Sequence, residues 1–547
     1  MIFPPAVFSE GGAAYQIEKS LRFRASASAH LSRSFGTPTV SGKATISFWA
    51  KLGTIGQGTW FGTAGGSILN YLFIGPGSNG QLCFTCVSAG TTILNKQSTA
   101  LLRDPSEHYH IVVMGDVTAT NAADRARMYI NSVEVTSFSS NTIWAQNAAN
   151  NFWNDIATRT YEIGRNGSGS GGQIDGYLSE INFIDGQALD PTSFGEFNAN
   201  GVWVPKKYTG TYGTNGFYLP FNDGTSLTTL TADASGNGNN WTATNISLTA
   251  GVTYDWMDDT PTNNFAVLNP LDTANTHANA NLQVSQAAQS FRGTRSTFAL
   301  PASGKHYVEL VIGTTSGSNN ITSFGLAASA KSLTVIPAGN ANFWGLYGGA
   351  SANTPLSGGG TQRQATTNYS IVAGDVLQLA YDADNNRLWI GRNNTWFDAG
   401  SPTYGTTGNP SAGSNPSFTS VPQGLFVYVG LFSTTANFNA GQRPFAYTPP
   451  TGFLPLCTAN LSITPISSGS LTGNASADGP FVWLGGTPDT MTINGNAVTW
   501  GTHADRLANG IKIRTSSASY NASGSNTFSV SSFVDEFDYP NRAKVNP

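Results

Sequence analysis

The sequence predicts an all-β chain built of tandem β-sandwiches, and three observations lead there. Only 11% of the 547 residues are charged, under half of the ~25% usual in a soluble domain. Short runs of alternating apolar and polar residues, bounded by Gly, Asn, Ser and Pro, recur almost throughout, whereas helical periodicity over ten or more residues is nearly absent. Solubility rests on hydroxyls and amides, since Glu, Lys and Arg are too few to clothe long helices. The 12 Trp, 19 Tyr and 31 Phe supply several cores and exclude a disordered chain.

Along the chain the first clear strand is Ala44 to Lys51. Ile46, Phe48 and Ala50 share one face; Thr45, Ser47, Trp49 and Lys51 share the other. Cys83-Phe84-Thr85-Cys86 lies in an apolar strand-like run, and a lone C-x-x-C of this kind, with no second pair or nearby His, reads as buried thiols. Three cysteines in all make no disulfide scaffold and suit synthesis in a reducing cytosol. His108 to Met114 is a strand, and Met128 to Val135 a hairpin turning at Asn131-Ser132. Later strands are Tyr307 to Ile312, Val376 to Tyr381, Arg387 to Ile390 and Leu425 to Phe432, with a turn at Asn393-Asn394.

Two shifts in composition mark boundaries. A turn-rich stretch from Trp203 to Gly216 follows one completed run of strands, and a Ser/Gly/Thr-rich segment follows Leu461. The expected organisation is a first sandwich over 1–208, a second over 209–460 and a small β-module over 461–547. A net charge of -4 offers no electrostatic reason to bind nucleic acid. No run of 18 apolar residues crosses a membrane, and the opening MIFPPAVFSEGG lacks the regions of a secretory signal.

Catalytic chemistry finds little material. A glycosidase needs two carboxylates facing each other across a groove. Glu180-Ile181-Asn182-Phe183-Ile184-Asp185 has Asn at the middle position and reads as a strand entering a turn. Asp535-Glu536-Phe537-Asp538 reads as a solvated tail. The six histidines are scattered; His108 and His110 share a strand face and read as a packed pair. Gly167 to Gly172 spells G-x-G-x-x-G, but no helix follows to hold a phosphate. Asp382 to Asn386 and Asp233 to Gly238 are oxygen-rich turns in which calcium is a minor alternative; no other cofactor is expected.

Longer patterns carry a resemblance. Tyr15 to Phe23, His30 to Arg33 and Ile46 to Trp49, followed by Ile163-Gly164-Arg165, Asp175 to Gly186 and Phe194-Gly195, resemble concanavalin-like, laminin-G-like jelly rolls of tailed-phage structural proteins. Asp259 to Phe265, Leu268-Asn269-Pro270, Gly304 to Glu309, Gly374-Asp375-Val376, Leu388 to Gly391 and Gly441 to Tyr447, with Pro450 to Phe453 and Leu456 to Thr458, resemble the SPRY-type sandwich that follows them. Phe481-Val482-Trp483 and Leu507 to Arg514, with Asn521 to Gly524, resemble small C-terminal modules of such proteins more weakly. The resemblance implies a virion component made in the host cytoplasm, in contact with other virion proteins, and a homo-oligomer with a trimer favoured.

What remains is binding surface. Aromatic faces beside Asn, Asp and Ser suit glycans, and three loop-like segments have that mixture. The candidate ligand residues are Trp144, Asn147, Phe152, Trp153 and Asp155, with Trp344 and Trp396; the alternative is that these aromatics cap the sandwiches or meet other subunits. The expected function is a non-enzymatic tail fibre or adhesin contacting host-surface polysaccharide. A head, neck or baseplate decoration protein is the alternative, and a polysaccharide depolymerase a lesser one.

Overall fold

The structure, a computed structural model, describes residues 15–461 apart from positions 54, 57, 64–69, 150–152, 155–159, 167–171, 199–200, 273–274, 288–289, 316–320, 350–355, 366–369 and 401–402. It also describes strands between 468 and 530. The chain is all-β, with two β-sandwiches in tandem and a four-stranded C-terminal sheet.

The first sandwich contains β1 (Ser20–Phe23), β2 (His30–Ser34), β3 (Lys43–Leu52), β4 (Phe61–Thr63), β5 (Tyr71–Pro76), β6 (Gln81–Ser88) and β7 (Thr91–Leu101). It continues with β8 (Tyr109–Asp116), β9 (Ala126–Ile130), β10 (Val133–Glu134), β11 (Phe138–Thr142), β12 (Thr160–Ile163) and β13 (Gly176–Asp185). After the separate hairpin of β14 (Gly195–Phe197) and β15 (Trp203–Pro205) come β16 (Phe217–Leu219), β17 (Thr242–Thr244) and β18 (Trp256–Met257). One sheet runs β10-β9-β8-β3-β13-β1-β18 with β16 also on β13; the facing sheet runs β11-β7-β6-β5-β4-β12-β2-β17. Strands β16, β17 and β18 complete these two sheets, so the first sandwich reaches Met257 and the expected division at 208 falls inside its strand run.

Alternation builds the core between the sheets. Ile46, Phe48 and Ala50 point inward, as the sequence predicts, against Leu72, Ile74, Phe84 and Leu94 of the other sheet. Asn131 and Ser132 both take positive φ (47° and 72°), the mirror-image turn that matches strand twist in a two-residue hairpin. Asn393 and Asn394 do the same in the second sandwich. There, Lys305–Thr315 sits between Thr434–Asn439 and Val376–Asp382, and Ile321–Ala327 of the facing sheet between Phe426–Phe432 and Phe343–Gly349.

The two sandwiches form one compact unit, welded by buried polar groups. Arg22 and Arg24 of the first sandwich share Asp255 Oδ1, at 3.0 and 2.8 Å, and Arg22 Nη1 reaches over to the Asn279 carbonyl of the second at 3.5 Å. The turn at Asn279, Ala280 and Asn281, all with φ of 55–60°, lies against Gly53: a Cβ there would sit 2.6 Å from Ala280 Cα. Asp175 accepts the Ala280 amide at 2.9 Å and Tyr177 donates to the Ala280 carbonyl at 3.1 Å. Three successive left-handed non-glycine residues are strained, and these hydrogen bonds hold them there.

The second unit holds the β14–β15 hairpin, where Phe197 and Trp203 rings meet at 5.0 Å. It also holds the C-terminal sheet of Ser468–Thr472, Ser525–Val530, Met491–Ile493 and Asn496–Ala497, in that order.

Candidate functional site

The expected ligand loop is largely core. Trp153 is fully buried and donates its indole N–H to the Ala44 carbonyl at 2.9 Å. Trp144 is 1% exposed, edge-on to Phe84 at 5.2 Å. Neither ring has a face left for a sugar, because an indole that fills a core gap loses solvent contact on both sides. Asn147 is exposed, with a left-handed φ of 57° that suits a turn. Phe152 and Asp155 lie outside the described residues, as do most of the Gly167–Gly172 loop and the acidic stretch at 535–538. Trp344 is half-buried against the second core, and Trp396 half-buried with its ring 6.3 Å from Tyr307.

The other motifs resolve into structural roles. His108 Nε2 meets Asp259 Oδ1 at 3.0 Å; His110 Nε2 meets Ser47 Oγ at 2.9 Å and its ring stacks on Trp49. Burial pushes His110 down to about 3. Cys83 points out of its sheet and Cys86 into the core, since strand residues three apart face opposite ways. Asp233 accepts the amides of Tyr218, Ser235 and Asn239, and Asp382 caps Asn385. Asp185 accepts the Thr39 and Asn215 amides at 2.7 and 3.1 Å. Among the described residues no three His, Cys, Asp or Glu side chains stand close enough to hold a metal ion.

A different feature has the chemistry of a ligand site. The outer face of β5, β6 and β7 forms an open groove of about 470 Å³, within the ~300–1,000 Å³ of small-molecule sites. Register sets its rows. One row crosses the sheet as Glu162, Gly62, Phe73, Thr85, Asn95 and Thr142. A second row holds Gly75, Cys83, Gln97 and Ser140, and a third Tyr71, Val87 and Thr92. Directly opposed residues share a face, so each row is a line of side chains at right angles to the strands.

Hydrogen bonds hold the polar part in place. Thr85 Oγ1 and Gln97 Nε2 both donate to Asn95 Oδ1, at 3.1 and 3.2 Å, and Asn95 Nδ2 donates to Ser140 Oγ at 2.9 Å. At one end Gln81 donates to Ser139 at 3.0 Å. Tyr71 supplies a half-buried ring beside this ladder, and the buried Phe73, opposite Thr85, lies in its floor. Burial pushes the Cys83 thiol up to about 11, so it stays a neutral part of the wall.

Among the described residues, the lining of Tyr, Phe, Gly, Ser, Gln, Cys, Thr and Asn contains no carboxylate, ammonium, guanidinium or imidazole. The acid in the same row, Glu162, is 2% exposed and paired with Arg165 at 2.7 Å. Such a face can stack on C–H surfaces and exchange hydrogen bonds with hydroxyls. The alternation of β6 and β7 is the signal that could have marked this face. Sequence reasoning looked to loops instead, because which strands lie side by side is a matter of register.

Residues 25–193 match the family model of the concanavalin A-like lectin/glucanase superfamily. No curated protein matches the chain. Among solved structures, the SPRY domain of human HERC1 is similar at 13% identity, covering 32% of this chain and 99% of its own, with a TM-score of 0.24. A heptameric SAP-like pentraxin from Limulus polyphemus is similar at 16% identity over 32% of this chain and 80% of its own, TM-score 0.25. Mouse laminin alpha1 domains LG4-5 are similar at 12% identity over 83% and 98%, TM-score 0.25.

Proposed function

We propose that this chain is a non-enzymatic binding protein whose first sandwich holds an uncharged glycan in the groove across β5, β6 and β7. The observation that carries the reading is the lining itself: a tyrosine ring beside a fixed amide and hydroxyl ladder, with no carboxylate or imidazole among the described lining residues. The match of residues 25–193 to a superfamily described as lectins and glucanases supports it. The wider setting we infer from the sequence resemblance is a tailed-phage virion. There the chain would serve as a fibre or adhesin, trimeric and attached to other virion proteins, contacting host-surface polysaccharide.

A glycan array probed with the purified chain and with an Asn95→Ala, Gln97→Ala variant tests the reading. Binding to neutral polysaccharide that the variant loses is the expected result; no binding by the native chain to any host-envelope polysaccharide overturns it. Antibody labelling of intact particles tests the virion setting separately.

A further inference from the structure

We propose that the folded chain joins Lys51 to Asn264 through a side-chain amide bond, tying the first sandwich covalently to the segment that opens the second. Lys51 lies on β3, and its Nζ is 2.7 Å from Asn264 Oδ1 and 2.8 Å from Asp259 Oδ2, with the Phe265 carbonyl at 2.9 Å. Both charged side chains are fully buried. Asn264 Nδ2 in turn donates to the Ser106 carbonyl at 2.5 Å, which fixes the plane of the amide beside the amine.

An amine, an amide carbonyl and a carboxylate shut together away from water are the three groups that amide exchange requires. Burial disfavours the ammonium and pulls Lys51 below its ordinary value. Asp259 Oδ1 is occupied by His108 and by the Phe265 amide at 3.1 Å, which leaves Oδ2 to exchange protons with Nζ. Fixed contact replaces a bimolecular encounter, so a reaction too slow between free side chains becomes accessible over the protein's lifetime.

The step balances without any co-reactant. Asp259 takes a proton from the Lys51 ammonium, and the freed electron pair forms the Nζ–Cγ bond to Asn264. The Cγ–Nδ2 bond then breaks. Two protons in all pass from Nζ to the departing nitrogen, relayed by Asp259, so the nitrogen leaves as ammonium and Asp259 ends ionised as it began. Nothing is oxidised or reduced.

The same three acceptors also suit the three N–H groups of a lysine that stays an ion pair, and mass distinguishes the two. Denaturing mass spectrometry of the intact chain is expected to find it lighter by one ammonia, with a branched proteolytic peptide linking Lys51 to Asn264. Asp259→Asn keeps both reacting groups and is expected to restore the full mass, as is Lys51→Arg. Full mass in the native chain after prolonged incubation overturns the proposal. So does an ammonia loss that maps to another asparagine, or a loss of water that maps to Lys51 and Asp259. The native-chain measurement stands whether or not the variants fold.

Discussion

Tyr218 donates its hydroxyl to Glu180 Oε2 at 3.0 Å, and Glu180 sits at a left-handed φ of 54° in the middle of β13. Tyr15 donates to Oε1 at 2.8 Å, and the two phenol oxygens lie 2.8 Å apart. Three O···O contacts close this ring, but two phenols bring only two protons. A third proton on the carboxyl completes the ring, because Glu180 then donates to one phenol and frees that hydroxyl to donate to the other. The bulge explains the site: register slips between Ser179 and Asn182 against β3, where the neighbour of β13 changes from β1 to β16.

Burial raises Glu180 from 4.5 to about 7. The folded state therefore keeps a proton that the unfolded chain releases above pH 4.5, and stability from this group falls as pH rises from about 4.5 to about 7. The whole effect is on the order of 3 kcal/mol. Glu107 is also raised to about 7 and slopes the same way, so a Glu180→Gln variant isolates the first contribution. Chemical denaturation at a series of pH values is expected to give the variant a shallower loss between pH 4.5 and 7. An unchanged slope would sink the proton count.

The amide ladder of the groove is expected to set affinity and leave folding nearly untouched. Asn95→Ala removes the hub of three hydrogen bonds on a solvent-facing strand position and should weaken glycan binding by about tenfold, the equivalent of ~1.4 kcal/mol. Titration calorimetry with whichever polysaccharide the array identifies checks the affinity, and a melting curve checks the fold.

Cys83 reports on the same groove. With its thiol held at about 11, it should alkylate more slowly near neutral pH than an unperturbed cysteine, because so little thiolate is present. Bound glycan is expected to slow the labelling further. Labelling indifferent to saturating ligand would place the ligand elsewhere.

Trp153→Phe should be costly to the fold and neutral for binding. It breaks the bond to Ala44 and leaves a space beside Phe61 and Phe84, a loss of about 2–4 kcal/mol. Glycan affinity per folded molecule should stay the same, the reverse of the pattern at Asn95.

Asp255→Ala leaves the fully buried Arg22 and the nearly buried Arg24 without their carboxylate. Removing one partner of a buried ion pair costs about 3–5 kcal/mol. Calorimetry is expected to record a lower transition as the first sandwich loses its buried ion pair. An unchanged transition would show that the buried pair contributes nothing to the stability of the first sandwich.

Much of the architecture was legible residue by residue. Alternation in Ile46, Phe48 and Ala50 named the inward face of β3, and the pairs Asn131-Ser132 and Asn393-Asn394 named their turns, because both signals are local. The candidate site was not. Trp144 and Trp153 beside Asn read as a sugar platform, but whether an indole meets water or a neighbouring sheet depends on residues far along the chain. Thr85, Asn95 and Ser140 form one ladder only because β6, β7 and β11 lie side by side.

The amino-acid sequence by itself determined that the chain is all-β, poor in charge and equipped with turns and apolar faces for tandem sandwiches. These follow from composition and from a side-chain period of two. Tertiary structure alone decided that β16, β17 and β18 return to the first sandwich, that Glu180 is locked between two tyrosines, and that Lys51 is shut in with Asp259 and Asn264. Each of these brings together residues at least 30 positions apart, and sequence spacing holds no record of which distant strands become neighbours or which charges lose their water.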